Sequence, residues 1–251
     1  MTSEHSRNCY TVLTNLPPHP GKSSTRFVCI SDTHSRTSYF VPPGDILLHA
    51  GDLSSWGYPD QMEKTLSWLA SLPHSVKIIV AGNHNDISIL EATRTRMRSQ
   101  SIQDTGIYYL EHESMVVTTT SDRSWKVYGS PAAPQYARGA FQYSTPEEAK
   151  EIYRRIPNDT EILLTHTPPY RILDKTRKGV HAGCRCLAER LQMLKSCKLH
   201  VFGQVHYCRP IMHIHECSGG EIMITDTGER IAVNAAVAWD TQPIIVDLAN
   251  K

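Results

Sequence analysis

The chain has 251 residues, of which 40% are hydrophobic and 20% charged, so it can bury a sizeable core and is not disordered throughout. Its formal net charge of +1 excludes the broad basic surface typical of dedicated nucleic-acid-binding and anionic-membrane-binding proteins. We therefore expect no nucleic-acid partner and no membrane partner. Seven cysteines, an odd number in a long chain, favour free thiols in a reducing compartment. Without an apolar leader or a run of membrane-spanning length, the expected location is the cytoplasm.

The first 25 residues differ from the remainder of the chain. They are polar and contain three prolines, Pro17, Pro18 and Pro20, which predicts an N-terminal arm of residues 1–25. No linker, repeat or low-complexity tract interrupts residues 26–251, so these are expected to form a single domain.

Five short apolar runs, each followed by polar residues, predict buried strands that end at loops. The runs are Phe27 to Ile30, Ile46 to Ala50, Val76 to Ala81, Ile162 to Leu164 and Val201 to Phe202. Further strand-like stretches are Ser114 to Thr120, Trp125 to Tyr128, Ile222 to Ile224, Arg230 to Val233 and Ile244 to Leu248. Because open sheets place their sites in loops at the carboxyl ends of strands, the residues after the first five runs are the candidates for function.

Helices are predicted between these strands. Met62, Leu66 and Leu69 recur at helical spacing, and Leu187, Leu191 and Leu194 do the same. The segment Thr145-Pro146-Glu147-Glu148 predicts a helix start, with a capping threonine, a proline in the first turn and a glutamate three residues on. The alternation of strands and helices predicts an α/β domain with mixed sheets.

Metal-ligand residue types follow all five runs. They are Asp32 and His34, Asp52, Asn83, His166, and His206. A mixed set of carboxylate, amide and imidazole ligands suits Mn²⁺, Fe²⁺ or Zn²⁺, and the two oxygens of Asp52 can bridge two ions. Two ions about 3.5–4 Å apart can clamp a phosphate and activate water near neutral pH. The pattern therefore predicts a metal-centred site for cleaving phosphoesters.

With these elements in order, the sequence resembles the calcineurin-like metallophosphoesterase family, whose motifs are D-x-H, GD, GNH[DE], H and GHxH. The flanking stretches SDTHSRT from Ser31, THTPP from Thr165, LHVFGQVH from Leu199 and QPIIVDL from Gln242 are similar to its metallophosphoesterase-domain-containing branch. The resemblance implies a four-layer α/β/β/α sandwich of two mixed sheets flanked by helices.

The resemblance also implies roles for individual residues. A first metal would be bound by Asp32, His34, Asp52 and His206, and a second by Asp52, Asn83, His166 and the residue at position 204. Mn²⁺ is the expected ion, with Fe²⁺, Zn²⁺ and Mg²⁺ as alternatives. His84 would be the general acid for the leaving oxygen while a hydroxide bridging the metals at Asp52 attacks phosphorus.

Two residues are candidates for binding substrate. Asn83 is expected to contact substrate as well as metal. Arg36 follows the first motif closely enough to reach a phosphate, to which arginine offers two parallel donors. Surface exposure without a role is the alternative for Arg36, and capping of a strand-to-helix turn is the alternative for His84.

The sequence departs from the family pattern at three positions. Gln204 replaces the first histidine of GHxH, Asn85 replaces the acidic residue of GNH[DE], and Ser55 stands where relatives carry an acidic residue. Gln204 can be a ligand, a ligand to a water, or a bystander. The second metal would have only a share of Asp52 as its negative charge, so we expect its site to be the weaker one.

The leading hypothesis is a metal-dependent phosphohydrolase acting on small phosphodiesters, with cyclic nucleotides favoured by the family resemblance. The partner implied is therefore a small phosphoester or nucleotide. The alternative is an attenuated or catalytically degenerate member that binds metal or nucleotide and regulates a partner, which Gln204, Asn85 and Ser55 favour.

Overall fold

The computed structural model describes residues 9–11, 16–83, 90–135, 139–176, 178–204, 219–225, 228–237 and 242–250. Within this part of the chain the strands are β1 Cys9–Thr11, β2 Ser24–Ile30, β3 Ile46–His49, β4 Val76–Ile79, β5 Ile107–Tyr109, β6 Glu113–Thr118, β7 Ser124–Ser130, β8 Ala133–Pro134, β9 Gln142–Tyr143, β10 Ile162–Thr165, β11 Leu199–Phe202, β12 Gly219–Thr225, β13 Gly228–Asn234 and β14 Ile244–Ala249. The helices are α1 Pro59–Ser71, α2 Leu90–Met97, α3 Gln100–Gln103, α4 Pro146–Arg154 and α5 Arg185–Met193.

The strands form two six-stranded mixed sheets. The first sheet has the order β1-β14-β2-β3-β4-β5, with β2 to β5 parallel and β14 antiparallel to both of its neighbours. The second has the order β12-β13-β11-β10-β7-β6, with a parallel centre and an antiparallel strand at each edge. Strands β8 and β9 form a separate parallel pair.

The two sheets pack face to face. In β2, Phe27 and Cys29 pack in the cluster that contains Ile162 and Leu164 of β10, so this cluster lies between the sheets. Because side chains alternate across a strand, Val28 lies on the opposite face, in the cluster with residues of α1. A third cluster buries residues of α4 and α5 against the outer face of the second sheet. The layers are thus α/β/β/α, and the predicted fold class is confirmed.

The helix start predicted at Thr145 is present in full. The Thr145 side chain accepts a hydrogen bond from the backbone N–H of Glu148 at 3.2 Å, and the Glu148 carboxylate accepts one from the backbone N–H of Thr145 at 3.3 Å. This capping box satisfies two backbone donors that α4 cannot pair internally. Among the described residues, no helix is both long and apolar enough to cross a bilayer.

Parts of the predicted N-terminal arm belong to the first sheet. Cys9–Thr11 pairs antiparallel with β14, and β2 begins at Ser24, two residues before the expected start of the domain. The Arg26 guanidinium also donates to the backbone carbonyl of Pro17 at 3.0 Å. The division into an arm of residues 1–25 and a domain of residues 26–251 stays a prediction.

The topology brings the candidate loops to one end of the sandwich. Strands β2, β3 and β4 run parallel, so the loops that follow them leave the first sheet at the same edge. The loops after β10 and β11 leave the second sheet together for the same reason. A 3.0 Å hydrogen bond from Gly203 N–H to the His166 carbonyl joins these last two loops.

Candidate metal centre

The loops after β2 and β3 run side by side through a series of backbone hydrogen bonds. Asp32 N–H donates to the carbonyl of Gly51 at 2.9 Å, and His34 N–H donates to that of Asp52 at 3.0 Å. The Ser55 hydroxyl adds a 3.0 Å bond to the His34 carbonyl. These bonds continue the pairing of β2 with β3 beyond the strands and fix the positions of three predicted metal ligands.

Those three ligands form a compact group, which we call the carboxylate cluster: Asp32, His34 and Asp52. One potential ligand atom from each lies within 4.8 Å of the other two, a spacing that suits a shared cation. Both carboxylates are buried and the imidazole is partly exposed. Burial of two negative charges is unfavourable unless cations or hydrogen bonds compensate for it, so the cluster favours a positively charged ligand.

Asp52 faces two histidines from different parts of the chain. Its Oδ2 lies 3.9 Å from Nε2 of His34, and its Oδ1 lies 3.4 Å from Nε2 of His166. Each oxygen of one carboxylate thus points towards a different imidazole. This is the arrangement expected of a carboxylate that bridges two cations.

His166 belongs to a second group, the amide cluster: Asn83, His166 and Gln204. The Nδ1 of His166 donates to the backbone carbonyl of Ala50 at 2.9 Å, which directs Nε2 towards Oδ1 of Asn83 at 3.0 Å. A backbone carbonyl that orients an imidazole in this way is typical of metal-binding histidines. The structure therefore brings together Asn83 and His166 as the sequence predicts.

The charge of His166 reflects its surroundings. Complete burial by itself lowers the pKa of its imidazole, but the Asp52 carboxylate more than offsets burial and, with Asp32, raises the pKa to about 9. In the absence of a cation the ring is protonated near neutral pH. The protonated imidazole then places a positive charge between the oxygens of Asp52 and Asn83. A bound cation would compensate the negative charge of Asp52 in the same way.

Both ends of the Gln204 side-chain amide form hydrogen bonds. Its Oε1 accepts a hydrogen bond from the Thr167 hydroxyl at 2.9 Å, and its Nε2 donates to Oδ1 of Asn83 at 3.3 Å. Its backbone N–H also donates to both oxygens of Asp32, at 3.2 and 3.0 Å. Gln204 thus lies at the site, where its side chain is bonded within the amide cluster and its backbone N–H is bonded to the carboxylate cluster, a role that the sequence did not reveal.

Five residues at the site have left-handed backbone conformations that side chains seldom adopt. They are Asp32, His34, Ser35, Asp52 and Gln204, with φ between 48° and 67°. Such conformations persist only where the surroundings enforce them, and they are concentrated at functional sites. Here these conformations occur where the chain leaves β2, β3 and β11, at or beside the proposed ligands.

Two motif glycines are required because the ligands approach their backbone closely. A Cβ on Gly82 would collide with the Asp52 carboxylate and with the Asp52 backbone nitrogen. A Cβ on Gly203 would collide with Oδ2 of Asp32 and with Ser31. The glycines therefore leave room for the two carboxylates.

One buried residue beside the centre was missed by the sequence reasoning. His49, the last residue of β3, accepts a hydrogen bond from Gly51 N–H through Nδ1 and contacts the Thr33 hydroxyl through Nε2 at 3.0 Å. Burial lowers the pKa of His49 to about 4, so the ring is neutral and orients the loop that carries Asp52. A histidine inside an apolar run carries no sequence signal that separates this role from simple packing.

The remaining candidates are placed differently. The Arg36 guanidinium lies over the ring of Tyr39, 5.7 Å from its centroid, and its predicted phosphate contact stays a prediction. His84, Asn85 and His206 lie outside the described residues, so the general acid and one ligand of the first metal also stay predictions.

A family model and a human protein each match this chain over most of its length. A family model described as calcineurin-like phosphoesterase matches residues 25–208, most of the chain. Metallophosphoesterase domain-containing protein 1 of Homo sapiens is 33% identical over 260 residues, which cover 93% of this chain and 73% of that protein.

Two further similarities say less about this chain, because one covers a small part of the relative and the other has low identity. A protein of Emericella nidulans named probable rhamnogalacturonate lyase C is 38% identical over 207 residues, and this chain spans 18% of its length. The crystal structure of a dimetal phosphatase from Danio rerio covers 84% of this chain and 87% of its own, with 11% identity and a TM-score of 0.42.

Proposed function

This chain belongs to the calcineurin-like phosphoesterase family, and we propose that it is a metal-dependent phosphoesterase that hydrolyses small phosphodiesters such as cyclic nucleotides. The observation that carries the proposal is the position of Asp52, whose two carboxylate oxygens face His34 and His166 at 3.9 and 3.4 Å. One carboxylate placed between two imidazoles can serve two cations at once.

The donor set fits divalent cations. Buried carboxylate oxygens, an amide oxygen and two imidazole nitrogens suit Mn²⁺, Fe²⁺ and Zn²⁺ better than they suit any organic cofactor. When bound, such ions would polarise a phosphoryl group and make water acidic enough to supply a nucleophile near neutral pH. The collisions expected at Gly82 and Gly203 support this role, since the glycines leave room for carboxylates in fixed positions.

The protein's own residues would position the substrate and move protons. Asn83 directs Oδ1 to His166, so its amide N–H groups can donate to a phosphate oxygen. His84 follows it directly in the chain and is proposed as the acid that protonates the leaving oxygen. Arg36 is proposed to contact phosphate, for which its guanidinium would have to move from the Tyr39 ring.

The small net charge bears on substrate size. A chain of net charge +1 offers no extended basic track, which favours a small phosphodiester over a long nucleic acid. The preference for cyclic nucleotides rests on the family resemblance.

Activity in the presence and absence of metal tests the proposal. Purified protein should hydrolyse bis-p-nitrophenyl phosphate and at least one cyclic nucleotide in Mn²⁺-containing buffer, and EDTA should abolish both reactions. Tight Mn²⁺ binding without turnover of any phosphoester, in a screen that includes phosphomonoesters, would contradict it.

A second candidate function is supported by one specific observation. Gln204 stands where the family pattern provides the second cation with an imidazole ligand, and both ends of its amide are bonded within the protein, to Thr167 and Asn83. We therefore infer, as the alternative, an attenuated member that binds metal or nucleotide and regulates a partner. Nucleotide binding without turnover, unchanged in a Gln204→His variant, would favour this alternative.

A further inference from the structure

Trp56 carries an exposed indole on the loop that follows β3 and contains Asp52 of the carboxylate cluster. Its residue exposure is 63%, although tryptophan is usually buried for the most part. It follows Ser55 directly, and the Ser55 hydroxyl is bonded to the backbone carbonyl of His34 at 3.0 Å. The backbone that carries the indole is therefore adjacent to the backbone of a proposed metal ligand.

The backbone around Trp56 is fixed. Its N–H donates to Oε1 of Gln61 at 3.0 Å, and the following Gly57 N–H donates to the Ser54 hydroxyl at 2.7 Å. The Thr65 hydroxyl of helix α1 donates to the Leu53 carbonyl at 2.8 Å, which attaches the same loop to the helix. Because this loop backbone is already ordered, only the rotation of the indole has to be fixed when a ligand binds, which limits the entropy cost.

Other exposed aromatic side chains lie on the same loops. Among the residues whose side chains the structure describes, six large hydrophobic side chains are exposed. Three of them are Phe40, Trp56 and Tyr58, with exposures of 65%, 63% and 50%. They lie on the two loops, between β2 and β3 and between β3 and α1, that carry the carboxylate cluster. Single exposed apolar residues are ordinary, but three exposed aromatic residues on the two loops that carry the proposed metal ligands support a ligand surface there.

We propose that Trp56 stacks against a planar aromatic group of the phosphoester, and so selects nucleotides and aryl esters over aliphatic phosphoesters. The inference rests on the proposed function, because the metal centre would bind the phosphate while the indole contacts the organic group. Stacking on an indole requires only a π face, so the selectivity is for aromatic groups in general and tolerates any base. Trp56 is thus a specificity-determining residue.

Paired ligands that differ only in the base test this role. Adenosine 5′-monophosphate and ribose 5-phosphate share the phosphate and the sugar, and their affinities can be measured by calorimetry in Mn²⁺-containing buffer. Trp56→Ala should weaken binding of the nucleotide by about fivefold to a hundredfold, the range expected for loss of one aromatic–base stack. Its affinity for ribose 5-phosphate should change less than about twofold, and Trp56→Phe should retain part of the preference for the nucleotide.

Val116→Ala is the matched control, because Val116 is equally exposed, at 62%, but lies on the outer strand β6 of the second sheet. It should leave both affinities unchanged. Equal affinities of the wild-type protein for the two ligands, or an equal loss of both in Trp56→Ala, would overturn the stacking role and leave the phosphoesterase proposal standing. Failure of the wild-type protein to bind either phosphate would overturn the inference, whereas the proposed function is overturned by the absence of phosphoester turnover.

Discussion

The carboxylate cluster and the amide cluster are built in different ways. Asp32, His34 and Asp52 come from two neighbouring loops of the first sheet, which are joined by a series of backbone hydrogen bonds. The amide cluster combines Asn83 from the first sheet with His166 and Gln204 from the second. The first arrangement depends on local strand pairing, whereas the second depends on how the two sheets pack.

The clusters also differ in charge. The carboxylate cluster contains two formal negative charges, and the amide cluster has none of its own and shares Asp52. A divalent cation is therefore expected to bind more tightly to the carboxylate cluster. Asp52 faces one imidazole of each cluster, so it couples them.

The largest expected effect follows from neutralising this coupling residue. Asp52→Asn keeps the side-chain shape but removes the negative charge shared by both clusters, so both cations should bind more weakly. We expect activity to fall by about a thousandfold or more, since metal ions contribute several kcal/mol to stabilising the charge of the transition state. Steady-state kinetics and elemental analysis of the purified variant measure the two effects.

Asp247→Asn is the control for losing a partly buried, ion-paired carboxylate. Asp247 pairs with Arg26 at 2.9 Å near the start of β2, at the opposite end of that strand from Asp32. The Asp247→Asn variant should have a lower melting temperature than the wild-type protein and an unchanged metal content. Full activity and two tightly bound ions in Asp52→Asn would show that the clusters do not share this residue.

A smaller effect should follow from giving the amide cluster a stronger ligand. Gln204→His introduces an imidazole at a left-handed backbone position that histidine tolerates better than most residues. The weaker Mn²⁺ site should bind about 10- to 100-fold more tightly, with the tighter site unchanged. Calorimetric titration with Mn²⁺ distinguishes the two sites, and two equal, tight sites in the wild-type protein would contradict the comparison.

A still smaller effect is expected from removing the hydrogen bond that orients Gln204. Thr167→Val removes the hydroxyl that donates to Gln204 Oε1, a loss of about 1 kcal/mol, or roughly fivefold in affinity at the weaker site. The change should disappear in the Gln204→His background, where the acceptor is absent. An equal loss in both backgrounds, measured by the same titration, would mean that Thr167 acts in another way.

The last prediction concerns a histidine outside both clusters. His74 is buried and bonded to the Pro42 carbonyl at 3.0 Å, and burial lowers its pKa to about 4. As pH falls below 6.5, the His74 imidazole is therefore protonated in the unfolded chain before it is protonated in the folded one. The stability that neutral His74 contributes is present above pH 6.5 and is lost as pH falls towards 4. Between pH 7 and pH 5 the melting temperature should fall less in His74→Gln than in the wild-type protein, by about 4–8 °C.

Metal should not alter that difference. Melting curves recorded with Mn²⁺ and with EDTA should show the same contribution from His74, because it contacts neither cluster. A difference that vanishes on chelation would mean that acid acts through the metal centre instead.

The sequence predicted the elements with strong local signals. Each of the ten strand-like stretches overlaps a strand, although those ending at Ala50, Ala81 and Thr120 run one or two residues past the strand, and the three predicted helices are present as α1, α4 and α5. It did not predict α2, which buries only Thr93 and Met97 and so shows no apolar periodicity, or β5, which is three residues long. Short or weakly amphipathic elements depend on neighbours distant in sequence.

By itself the sequence determined the family, the fold class and the residue types available to bind a cation, because apolar runs and ligand-bearing loops are local features. Only the tertiary structure decided that Asp52 lies between His34 and His166, that Gln204 is bonded to Thr167 and Asn83, and that Trp56 is exposed on the loop that carries Asp52. The longest of these contacts, between Asn83 and Gln204, joins residues 121 positions apart. Strand pairing and sheet packing set such distances, and neither is encoded in any single segment.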